Sequence, residues 1–137
     1  MPLKYGTEIA GIPGCPPVYC ARCSREAFRF AFEPLCEKSF LPVARMNPAR
    51  KFSGDGELCS AHALSFFVTR ETAVTKYNRL KAGHHQIGKT LGTHLARGRI
   101  EPADGPATNP SASGHFDLYE EDGCDLLSRF QIIERLL

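Results

Sequence analysis

The chain lacks any apolar run of membrane length. Its longest, residues 63–68, is interrupted by Ser65, against the roughly twenty residues that an α-helix needs to cross a bilayer. Residues 1–17 also lack the apolar core of a secretory signal, and Pro and Gly stand where it would be. These two absences predict a small soluble cytoplasmic protein with no membrane partner. Cysteine is too sparse for a disulfide scaffold. There are six in 137 residues, well under the roughly 8–10% of such chains, so the thiols read as reduced or as metal ligands. Acid is absent from the whole of residues 72–100.

What is present suffices for a core. The composition is 42% hydrophobic, with nine Phe and four Tyr, which gives apolar surface to set against the entropy of ordering the chain. The length suits one domain spanning 1–137. Charge is unevenly spread. Residues 1–100 carry 15 Lys/Arg against 7 Asp/Glu, and residues 101–137 carry 2 against 8. In the acid-free stretch stand Lys76, Arg79, Lys81, Lys89, Arg97 and Arg99, with His84, His85 and His94. Such a segment attracts phosphates. The competing reading is that the acidic stretch 117–125 packs beside it and neutralises it.

Periodicity places the elements. Residues 1–19 are rich in Pro and Gly and predict an irregular arm. Residues 26–33 alternate, with Phe28, Phe30 and Phe32 on one side and Arg29 on the other, which predicts a strand. A second strand is expected over 40–44, confined to an edge by Pro42. A short helix over 57–63 and a strand over 64–68 follow. Thr69 is a natural N-cap for a helix over 70–82, with Ala73, Tyr77 and Leu80 on one stripe and Gly83 at its end. Gly88, Gly92 and Gly98 argue against one helix over 87–100 and favour a strand near 93–96. Residues 101–114 read as a long loop and 115–119 as a strand, while the last apolar run, 126–137, fits strand or helix. The expected fold is α+β: a mixed or antiparallel sheet of about five strands with one main helix packed on it.

Three motifs bear on chemistry. Residues 83–90 satisfy the P-loop expression G-x4-G-K-[ST], but they follow a helix end where a P-loop needs a buried strand, so a glycine stop before a basic loop is the better reading. Cys20-x2-Cys23 and Cys59-x2-His62 together offer four ligands for a structural zinc, against the plainer reading of buried free thiols. His115, Asp117 and Tyr119 share one strand face. They form either an acid–base cluster or, the reading the alternation favours, an outward polar face.

The segment Leu64-Ser65-Phe66-Phe67-Val68-Thr69-Arg70-Glu71-Thr72-Ala73, with Tyr77 beyond it, resembles the strand–Thr–helix piece of ADP-ribosyltransferase-like folds. That resemblance implies a nicotinamide-dinucleotide cleft walled by Ser65, Thr69 and Tyr77. Arg29 would hold the dinucleotide and Glu120 would orient its ribose.

Three functions are expected in turn. The first is a non-catalytic module that binds an anion, nucleic acid or a phosphorylated small molecule, through Lys76, Arg79, Lys81, Lys89, Arg97 and Arg99. The second is a small NAD-consuming transferase. The third is an accessory subunit that meets a protein partner through the loop 101–114.

Overall fold

Strand β1 (Arg25–Ala31) is the middle of the molecule in a computed structural model that describes residues 2–137. On one side it pairs with β2 (Leu64–Phe67), which pairs in turn with β4 (His115–Leu118). On the other it pairs with β3 (His94–Ile100), which pairs with β5 (Gln131–Arg135). The order is β4-β2-β1-β3-β5, antiparallel throughout. Alternation along each strand sorts its side chains onto two faces. Ala27, Ala31, Phe66, Ala96 and Phe116 belong to one core. Phe28, Phe67 and Leu95 belong to another.

The second face is covered by α4 (Arg70–Gly83), which buries Ala73 and Tyr77 on it. Its start is fixed as the sequence predicts. The Thr69 hydroxyl accepts from the Thr72 amide at 3.1 Å, and Thr72 Oγ1 accepts from the Thr69 amide at 3.3 Å. Tyr77 crosses the core to donate its hydroxyl proton to the Gly92 carbonyl at 2.8 Å. Gly92 itself has φ +102°, and a Cβ there would stand 2.2 Å from the Ala31 carbonyl oxygen, so the entry to β3 needs glycine. Gly98 serves packing. A Cβ on it would lie 2.5 Å from the Phe130 ring, which occupies that space against Phe40 and Phe66.

The first face is covered by chain without long elements. The N-terminal arm includes the short α1 (Gly6–Ile9), whose Ile9 packs with Ile12, Cys59, Ala63 and Tyr119. Residues 101–114 zip along β4: Ala107 bridges both Ala21 and Leu118, and Thr108 and Asp117 exchange hydrogen bonds at 2.9 Å. The loop thereby shields the β4 edge of the sheet.

Two expectations are corrected here. Residues 40–44 form no strand; a 3-10 turn over Glu37–Phe40 leads into α2 (Val43–Met46). Pro42 stands as its N-cap in extended backbone, since proline suits a helix entry better than a ladder. The thiols are not all reduced: Cys15 is bonded to Cys59 on α3 (Asp55–Ser60), tying the arm to that helix. The run 126–137, left open between two readings, resolves as β5 after a 3-10 turn at Leu127–Arg129.

Candidate functional site

Beside α4, the sheet face is left partly open. A cleft of about 610 Å³ lies between the β2–β4 end of the sheet, the helix residues Lys76 and Leu80, and the α2–α3 segment. Its lining is both polar and aromatic. Phe30, Phe32, Phe52 and Phe67 reach its wall, with Arg29, Ser65, His115 and Asp117 between them.

Arg29 is the deepest cation. Its Nε donates to the Ser39 carbonyl at 2.7 Å, Nη1 to Ser65 at 2.8 Å and Nη2 to Leu41 at 3.2 Å. The registered pair between β1 and β2 is Phe28↔Phe67. Next to it the Ser65 carbonyl takes its hydrogen bond from this side chain. Guanidinium has five N–H donors. Three are directed at carbonyls, and the residue contributes to the lining of the cleft. Burial pulls its pKa down to about 10, against the opposing pull of Glu120 and Asp117, so it remains a cation at neutral pH.

A polar chain runs along the neighbouring strands. Ser65 and Asp117 are directly paired across β2 and β4, and His115 lies diagonal to Ser65. Ser65 Oγ is in short contact with His115 Nε2. Asp117 Oδ1 stands 3.4 Å from the same nitrogen, and Asp117 Oδ2 accepts from the Ser60 hydroxyl of α3 at 2.7 Å. Burial raises the Asp117 carboxyl above its ordinary range, while Ser60, His115 and Arg29 restrain the rise. The His115 ring also meets Phe67 edge-on, with centroids 5.6 Å apart. Ser, His and Asp thus converge on one wall of the cleft.

Further cations rim it. Lys38 lies over the Phe32 ring at 4.3 Å and Arg50 over Phe52 at 5.2 Å. Lys76 projects from α4 into the lining. Glu57 is the other acid there.

The six cations of the acid-free stretch are not brought together in this cleft. Lys76 alone among them lines it. Arg79, Lys81 and Lys89 are exposed on α4 and α5 (Ile87–Thr90). Arg97 faces Glu26 at 3.9 Å and Arg99 faces Glu101 at 3.3 Å, beside a shallower depression at Arg129. The acidic stretch does not neutralise them either. Glu120 pairs with Lys4 and Glu121 with Arg22.

Of the residues implied by the resemblance, Arg29 and Ser65 are in the cleft. Thr69 is committed to its capping box, Tyr77 is buried in the core and Glu120 is buried on the arm side with Lys4. The zinc ligands do not gather. Cys59 is bonded to Cys15, His62 Nδ1 lies 2.9 Å from the Leu58 carbonyl, and among the described residues no three His, Cys, Asp or Glu side chains converge as for a metal. The P-loop match begins on the last residue of α4 and runs into α5, with no strand before it.

The alternation favours an outward polar face for His115, Asp117 and Tyr119. The structure buries Asp117 and Tyr119 and half-buries His115, because α3 closes over that end of the strand. Lys38, Arg50, Ser60 and the α2–α3 wall have no local signal. One hint was readable: Arg29 sits on an aromatic strand between Ala27 and Ala31, whose small side chains leave room on its face. No family model, curated protein or solved structure matches the chain.

Proposed function

We propose that the protein binds a phosphorylated, ring-bearing small molecule of the nucleotide class in this cleft. The observation that carries the reading is Arg29. A guanidinium held by three carbonyls is pre-organised, so its two remaining N–H groups meet an oxyanion with little ordering cost. Lys38, Arg50 and Lys76 add positive field around it, and the Phe walls supply flat apolar surface for a ring. The volume lies within the roughly 300–1,000 Å³ of small-ligand sites. A nucleic-acid strand draws less support, since the cations of the acid-free stretch are divided between the cleft, the helix surface and β3.

The test is calorimetric titration and thermal shift with AMP, ADP and NAD, NAD being included because Arg29 and Ser65 both reach the cleft. A ligand at a hundred times its Kd stabilises the fold by about 2.7 kcal/mol. Arg29→Met is expected to abolish the shift. If none of the three binds at millimolar concentration, the reading fails.

A further inference from the structure

The wall that holds Arg29 also holds a serine in contact with a histidine, and ligand binding alone gives that pair no role. We propose that the cleft is catalytic, with Ser65 as the nucleophile and His115 as its base in hydrolysis of a phosphate monoester; this rests on the reading that the cleft takes a phosphorylated ligand.

The placement follows from the strands. Ser65 and His115 point to one face because β2 and β4 are paired as Phe67↔His115 and Ser65↔Asp117. With its proton on Nδ1, His115 presents a lone pair at Nε2 to the Ser65 hydroxyl. Arg29 Nη1 is bonded to the backbone carbonyl of that same serine at 2.8 Å, and both residues line the cleft. Asp117 does not occupy the usual orienting place on the far ring nitrogen. Its Oδ1 stands 3.4 Å from Nε2, where its charge favours the imidazolium that forms as the serine proton leaves. Ser60, donating to Oδ2 at 2.7 Å, fixes that carboxylate. Asp117 and Ser60 are therefore positioning residues.

The reaction has two halves. Ser65 Oγ attacks phosphorus and the P–O bond to the alcohol breaks. The hydroxyl proton passes to His115 and from it to the departing alkoxide. A water then attacks phospho-Ser65 and gives a proton to His115; the P–Oγ bond breaks and His115 returns a proton to the serine. The net change is monoester plus water to alcohol plus inorganic phosphate, without any redox partner. Arg29 and the rim cations Lys38, Arg50 and Lys76 offset charge on the phosphoryl oxygens in both halves.

The experiment follows phosphate release from AMP and from p-nitrophenyl phosphate, with AMP binding measured separately by calorimetry. Wild-type protein is expected to release phosphate, and acid quenching should trap a Ser65 peptide heavier by one phosphoryl group. Ser65→Ala and His115→Asn should each lower kcat/KM at least about 100-fold, with AMP affinity in Ser65→Ala within threefold of wild type. Asp117→Asn should lower kcat about tenfold at unchanged KM. AMP binding without phosphate release, or release unaffected by Ser65→Ala, would overturn the catalytic proposal and leave the binding reading standing. Failure of AMP, ADP and NAD to bind would remove both.

Discussion

Lys4 Nζ donates to Glu120 Oε2 at 2.9 Å across 116 residues of chain, and Glu120 Oε1, in the same buried carboxyl, has no hydrogen-bond partner among the described residues. The arm is thus fastened to the end of β4 by a charge pair whose acid is almost wholly buried and whose base is a third exposed. Burial raises the Glu120 pKa, and Lys4 holds it back. Lys4→Met removes the hydrogen-bonded restraint and leaves the buried carboxylate with only the electrostatic pull of Arg29, at an expected loss of about 2 kcal/mol at pH 7, discounted for the exposure of the lysine.

The sign of the pH dependence separates this from lost packing. An acid whose folded pKa is raised favours the folded state below its unfolded pKa, and that contribution fades as pH rises through the folded value. Lys4→Met should therefore be less destabilised near pH 4 than at pH 7. Lys4→Met with Glu120→Gln should recover most of the loss at pH 7. Urea unfolding of the three proteins at both pH values reads the result, and a pH-independent loss contradicts the account.

The Cys15–Cys59 bond closes a loop of 44 residues between the arm and α3. Restriction of the unfolded chain by a loop of that length stabilises by about 4 kcal/mol in the chain-entropy model, and measured values commonly fall at about 2–4 kcal/mol. Cys15→Ser with Cys59→Ser should lower stability by about 2–4 kcal/mol, read by urea unfolding in the absence of reductant. The effect should also reach the cleft, because Ser60 follows Cys59 on α3 and bonds Asp117. Hydrogen exchange is expected to quicken at residues 3–20 and 55–62 and to stay unchanged in β1 and β3.

What was legible in the sequence follows the range of the forces involved. Thr69, Ala73 and Tyr77 set a helix by local capping and periodicity, and the helix is there with its end one residue later. The aromatic alternation of β1 and the glycine pattern before β3 are local too. The cleft is not local. Arg29 finds Ser39, Leu41 and Ser65 only because the chain from 32 to 64 folds back over the sheet. Asp117 meets Ser60 from 57 residues away. The acid-free stretch illustrates the converse: charges adjacent in sequence are parted by a helix, a turn and a strand, whose side chains point in different directions.

Asp104 and Arg129 form the mirror case to Glu120. The Asp104 carboxylate is buried, receives both Arg129 Nη1 at 2.9 Å and Nη2, and also accepts from the Glu101 amide at 2.7 Å. Burial by itself pushes its pKa up, yet Arg129 and the Glu101 amide outweigh burial and bring it below the ordinary value. A depressed carboxyl contributes stability above its unfolded pKa and loses it as pH falls through the folded pKa. Wild-type protein should therefore gain stability from this group as pH rises from about 3 to 5. Arg129→Met leaves burial opposed by the Glu101 amide and the Cys124 thiol, so the folded pKa rises toward or past its unfolded value and the gain in stability over this pH range shrinks. At pH 7 the variant is expected to lose about 2 kcal/mol, discounted because the guanidinium is a third exposed. Arg129→Met with Asp104→Asn should lack this group's contribution to the slope altogether. The comparison requires urea midpoints at pH 3, 4, 5 and 7 for the three proteins, and parallel curves for wild type and Arg129→Met would contradict the assignment.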